Sequence, residues 1–178
     1  MIEKTVCFSG HRPMKLPGKG DWSDRRTKII KSMLYYRIHT SIEEGYTHFI
    51  TGLARGIDLW AAMFVLELKS QHPELSLICV KPTEDHGNKF TGEDKYMLEY
   101  ALFHADKIVC TSPSYHANCY RIRNQYMVDN SSQLIAVVND YASGTGQTIK
   151  YAQKKGKKAD VINTAEINEV YKSYYNTI

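Results

Sequence analysis

Residues 46–69 read YTHFITGLARGIDLWAAMFVLELK, and the fold is decided there. The first six residues mix aromatic, β-branched and small polar side chains over a strand's length. Gly52 and Gly56 bracket a turn. Beyond it Leu59, Ala62, Met63 and Leu66 recur at three- and four-residue steps, the period of a helix with one buried face, as far as Lys69. The result is a strand, a glycine turn and a helix.

The same alternation continues on both sides. Towards the C-terminus, Pro73 closes the unit and residues 75–80 form a nearly continuous apolar run, as expected of a central parallel strand covered on both faces. A polar loop over 82–92 leads to a helix over 93–104 and a strand over 107–110. A loop containing Pro113 precedes a helix from Asn118 or Cys119 to Asn130. A strand over 134–138, a helix over 145–155 stopped by Gly156, and an edge strand over 159–162 follow. Thr164 is placed to cap a last helix reaching about Tyr171. Towards the N-terminus, a strand over 5–8 runs into a loop over 11–23 with two prolines and two glycines. Asp24 caps a helix to Glu44, which Gly45 ends. Repeated βα units predict an α/β fold, a Rossmann-like three-layer sandwich with a mostly parallel central sheet and right-handed crossovers. The expected strand order is of the 3-2-1-4-5 kind. No linker, repeat or low-complexity tract divides the chain, so residues 1–178 read as one domain.

The 23 basic and 19 acidic residues are interspersed, which argues against a general nucleic-acid face. Lys150, Lys154, Lys155, Lys157 and Lys158 are the exception: either a solvated helix end or a contact to a phosphate backbone. Of Cys7, Cys79, Cys110 and Cys119, three fall in apolar strand runs, and no CxxC pair suggests zinc. No metal site is expected, and no cofactor can be specified. With no apolar run long enough to span a membrane and no signal-like start, a cytoplasmic protein with reduced thiols and no membrane partner is expected.

Ligands of open parallel sheets bind beyond the carboxyl ends of the strands. The first loop there is Ser9-Gly10-His11-Arg12-Pro13: a tight turn, a titratable imidazole and a guanidinium able to fork onto phosphate. The second contains Gly52, Arg55, Gly56 and Asp58 at the start of a helix, where free N–H groups favour an anion. Asp58 either accepts from a ribose or base donor or caps the helix. The spacing matches neither the dinucleotide fingerprint nor the Walker loop. The third loop, with Ser143, Gly144, Thr145, Gly146 and Thr148, is the best phosphate cradle. At the start of the preceding helix, Arg121 and Arg123 cannot share a face, and Arg123 with Asn124 is the pair expected at the crevice. Glu84, Asp85, His86, Glu93 and Asp94 either hold a magnesium ion or supply a base, or are simply solvated. Among the thirteen tyrosines, Tyr120 and Tyr141 are placed to stack on a base. Trp22 pins its loop or covers a ligand, and Trp60 is a core residue.

Taken in order, Ser-Gly-His-Arg-Pro, Thr-Gly-Leu-Ala-Arg-Gly-Ile-Asp-Leu-Trp-Ala-Ala, Arg-Asn and Ser-Gly-Thr-Gly-Gln-Thr resemble the YpsA-like family of the SLOG superfamily, over about residues 4–163. That superfamily includes the DNA-processing protein DprA and the LOG phosphoribohydrolases. The resemblance implies binding of nucleotides or nucleotide-derived ligands at Ser9, Gly10, His11, Arg12, Pro13, Gly52, Arg55, Gly56, Asp58, Arg123, Asn124, Gly144, Thr145 and Thr148. LOG enzymes follow their glycine loop closely with a catalytic glutamate, and here the comparable stretch, Ala142 to Thr148, contains none. The expected function is binding of a small nucleotide-like phosphate ligand, with a sensor role. The alternatives are a hydrolase cleaving an N-glycosidic or phosphate bond, and a single-stranded nucleic-acid module, which is not favoured. Edge-helix tyrosines offer a surface for a homo-oligomer.

Overall fold

The computed structural model describes residues 2–167. Six strands, β1 (Thr5–Gly10), β2 (His48–Thr51), β3 (Ser76–Lys81), β4 (Lys107–Cys110), β5 (Gln133–Val138) and β6 (Lys158–Asn163), alternate with five helices. These are α1 (Arg25–Glu43), α2 (Ile57–Lys69), α3 (Gly92–His104), α4 (Cys119–Asp129) and α5 (Gly144–Lys154). Residues 164–167 are helical, and the rest of the expected last helix lies outside the described residues.

All neighbouring strands are parallel, in the order β4-β3-β2-β1-β5-β6. The expected order is corrected in one respect. The chain steps three times in one direction, so β4 lies outside β3 instead of beside β1. Only α4 carries it back across the sheet, and the order reverses between β1 and β5. Right-handed crossovers then put α1, α2 and α3 on one face and α4 and α5 on the other.

Alternation along the strands supplies both cores. Val6, Phe8, Phe49, Leu77, Ile135 and Val137 pack under the first helical layer with Ile30, Leu34, Leu59 and Val65. Cys7, Ile50, Val80, Leu134 and Ala136 pack under the second with Met127 and Ile149. Trp60 is buried in the first core, as read from its helical position. Asp24 caps α1 by accepting from the Arg26 N–H at 2.8 Å, and Ser143 caps α5 by accepting from Gly146 N–H at 3.2 Å. β1 extends past Phe8 because Ser9 and Gly10 still pair with Ala136 and Val137 of β5. This brings the first glycine loop to the reversal point. Among the described residues no helix is long and apolar enough to cross a membrane.

Glycine is required at Gly10 by packing, since a Cβ there would fall on the fully buried Ile57 side chain. At Gly144 it would meet nothing within 4 Å. Gly10→Ala is expected to lower stability by about 1–3 kcal/mol in urea unfolding. Gly144→Ala should be neutral, or stabilising by up to about 1 kcal/mol.

Candidate functional site

The loops after β1 and β5 are tied together by His11. Its backbone N–H donates to Val137 O at 3.4 Å, and its Nε2 accepts from the Asp140 N–H at 3.1 Å. That second bond requires a neutral imidazole with its proton on Nδ1. Burial, with help from the Lys15 cation, lowers the His11 pKa below its ordinary value. The neighbouring Arg12 is exposed and has no carboxylate within 4 Å among the described residues. Gly144, the first residue of α5, is exposed beside this junction, while Ser9, Thr145 and Thr148 are nearly buried. Asp140 also accepts from the Ala142 N–H, at 2.8 Å, which shapes the turn before the Ser143 cap.

The second loop is pinned from both sides. A Cβ at Gly56, where φ is +85°, would strike Pro13 and the His11 carbonyl. A Cβ at Gly52 would overlap the Arg123 guanidinium and approach Asp58. Both glycines therefore admit protein groups. Arg123 Nη1 donates to Gly52 O and lies 3.4 Å from Asp58 Oδ2. The same carboxylate oxygen accepts from the Ala54 N–H at 3.3 Å. Burial raises the Asp58 pKa to about 6 against the pull of Arg123. The same burial lowers the Arg123 pKa. Leu53 adopts φ +61°, a left-handed conformation that costs a leucine roughly 1–2 kcal/mol. It is held by Thr51 Oγ1 at its N–H and by His86 Nε2, which donates to its carbonyl at 3.0 Å. Burial lowers the pKa of His86 as well.

Several expected groups are engaged elsewhere. Arg55 turns onto the Phe90 ring, donates to Lys89 O at 2.8 Å and pairs with Asp94 at 3.4 Å. Asn124 Nδ2 donates to Thr148 Oγ1 at 2.9 Å, joining α4 to α5. Thr148 in turn donates to Gly144 O. The acids of residues 84–94 do not converge. Glu84 pairs with Lys81, Asp85 accepts from Thr83 Oγ1, and Glu93 accepts from the Trp22 indole N–H. Trp22 thereby pins its loop to α3, with Lys31 Nζ between its ring and that of Trp60. Burial pulls the Lys31 ammonium down to about 8. No group of three or more His, Cys, Asp or Glu gathers as a metal site among the described residues.

An open cavity of about 430 Å³ lies between α4 and α5. Asn124, Gly144 and Thr148 line it with Tyr120, Arg121, Gln147, Lys150, Tyr151 and Lys154. Arg123, the arginine expected at the crevice, faces the interior, and Arg121 lines the cavity. Spacing of two residues shows that the two differ in direction, and only the position of β2 shows which side is inside. Tyr141 is exposed at the rim of the α5 loop.

Removing one partner of the buried pair strands the other charge, so Asp58→Ala should cost about 3–5 kcal/mol in urea unfolding. Asp58→Leu combined with Arg123→Met should cost less than the two single changes together. The His11–Asp140 bond contributes fully above the ordinary histidine value of 6.5 and is lost as pH falls through the lower value of the folded chain. His86 acts in the same sense, whereas Asp58 acts oppositely between its ordinary 3.8 and about 6. Urea midpoints measured below pH 6.5 should therefore fall less steeply on acidification in His11→Gln than in the parent chain.

The model of the YspA SLOG family matches residues 6–170. The chain is 26% identical over 164 residues to a UPF0398 protein of Bacillus cereus strain G9842, covering 86% of this chain and 85% of that one. It is 25% identical over 174 residues to a UPF0398 protein of Bacillus thuringiensis strain Al Hakam, covering 97% and 89%. Among solved structures, DprA from Streptococcus pneumoniae superposes with a TM-score of 0.59 at 18% identity, over 88% of this chain and 49% of that one. This chain thus spans about half the length of the Streptococcus protein. DprA from Helicobacter pylori, solved to describe its single-stranded DNA binding mode, gives 0.59 at 19% identity, over 95% and 72%. These structural likenesses are of fold. With a sequence match running from β1 past β6, this chain belongs to the YspA SLOG family.

Proposed function

We propose that this protein binds a nucleotide or nucleotide-derived phosphate ligand at the carboxyl ends of β1 and β5. One observation carries the reading: the His11–Asp140 bond joins the Arg12 loop to the start of α5 where the strand order reverses. A reversal of this kind opens a crevice, and a helix start offers unpaired N–H groups to an anion. In this reading the first turn of α5, from Ser143 to Thr145, receives the phosphate and Arg12 supplies the mobile cation. Ser9 and Gly10 form the floor. Gly52, Arg55, Gly56, Asp58 and Arg123 act as the wall that holds the loops, and Asn124 with Thr148 aligns the two helix starts. Tyr120 or Tyr141, both exposed, stacks on the base. Binding is favoured over bond cleavage because Asp58 is 3% exposed and already engaged by Arg123 and Ala54.

A second reading rests on the α4–α5 cavity. Arg121, Lys150 and Lys154 border it without a carboxylate within 4 Å among the described residues, and Tyr120 and Tyr151 line the same cavity. Cations and aromatic rings lining one groove suit a single strand of nucleic acid. The fold shared with the Helicobacter DprA supports that direction.

One experiment separates these readings: mass spectrometry of ligands retained through purification, then thermal-shift titration with the nucleotides found. Arg12→Ala should leave the unliganded midpoint unchanged and weaken the nucleotide about tenfold or more, the worth of a charged hydrogen bond. If no nucleotide raises the midpoint, or Arg12→Ala leaves affinity intact, the crevice reading fails. Salt-sensitive oligonucleotide binding lost in Lys150→Ala with Lys154→Ala would establish the cavity reading instead.

A further inference from the structure

Helix α3 is apolar on two sides. Met97, Leu98 and Ala101 are buried against the sheet. On the other side Tyr96, Tyr100 and Phe103 recur at i, i+4 and i+7, exposed at 63%, 39% and 84%. Tyr96 stacks on Tyr100 with centroids 5.8 Å apart, and Tyr100 meets His104 at 4.3 Å. Isolated exposed aromatics are ordinary, whereas a stripe at helical spacing is a face built for cover. The helix leads directly into β4, the open edge of the sheet. β4 is parallel to β3, and parallel strands are normally sealed on both faces, yet none of its four residues is fully buried and Ile108 is 52% exposed. Lys107 on that edge guards it against indiscriminate pairing but explains neither Phe103 nor Ile108.

We infer that this face joins two copies of the chain about a twofold axis, β4 beside β4 and α3 antiparallel to its mate. The occupant is indicated by charge. The first turn of α3 carries Glu93, whose carboxylate meets the Trp22 indole but no cation within 4 Å among the described residues. Three residues beyond the other end of the helix stands Lys107, also without a carboxylate partner among the described residues. A twofold sets the Glu93 carboxylate at the N-terminus of each helix beside Lys107 of its mate, with the helix dipoles opposed. The face is therefore complementary to itself, as an isologous contact requires. It lies away from the crevice between β1 and β5, so it stands or falls independently of the ligand.

Sedimentation velocity of the full chain from about 1 to 100 µM tests this. The expected result is a species of twice the 20.4 kDa chain mass. Tyr96→Glu and Phe103→Glu should each raise the dissociation constant at least about tenfold with an unchanged circular dichroism spectrum. Tyr36→Glu, at an exposed tyrosine on α1, should leave it unchanged. A chain that stays monomeric throughout overturns the inference and leaves the face to a different protein. A dimer indifferent to both α3 substitutions overturns it as well.

Discussion

A guanidinium and a carboxylate buried together tie the loops at the carboxyl end of this sheet. Arg123 comes from α4 on one face of the sheet, and Asp58 from α2 on the other. They meet across the carboxyl end of β2, over a position where only glycine leaves room. Neither charge gains much from its surroundings. Burial shifts both pKa values against the charged forms, and Arg123 Nε has no hydrogen-bond partner. Pairs of this type add little net stability, but any displacement that separates the partners strands a buried charge and is opposed. Here the groups so joined are the 52–56 turn, through Gly52 O and the Ala54 N–H, and helix α4.

Around that pair the contacts form a chain. The 52–56 turn rests on Pro13 and the His11 carbonyl, His11 reaches Asp140 in the β5 loop, and that loop leads to the Ser143 cap of α5. Asn124 and Thr148 close the ring from α4 to α5. Elements far apart in the chain are thereby held at one end of the sheet by few, specific polar bonds. The glycines divide by what stands opposite them. Gly10, Gly52 and Gly56 make room for protein atoms, whereas Gly144 faces open space. A packing role for Gly10, Gly52 and Gly56 follows from that division, whereas packing places no demand on Gly144.

Much of this was legible in the chain. Helix α2 runs from Ile57 to Lys69 and β4 from Lys107 to Cys110, as periodicity and run length indicate. The Asp24 cap follows from its position before an amphipathic run. Less legible were the roles inside the candidate site. Arg55 and Arg123 read as free cations because their residue type and loop position suit phosphate, but their partners Asp94 and Asp58 lie 39 and 65 residues away in the chain. The left-handed Leu53 gives no signal at all, since nothing local favours that conformation in leucine. Arg121 and Lys150 enter the picture only because α4 and α5 lie side by side.

What the amino-acid order alone determined is the list of elements and the turns that join them, because periodicity, caps and glycine positions act over a few residues. Strand order, the return of the chain across the sheet through α4, and the identity of the charged groups left facing solvent were decided by the tertiary structure. The reason is physical. A local pattern records how a segment hides its own apolar face, whereas a pairing such as Arg123 with Asp58 exists only after β2 has been laid between the helices that carry them.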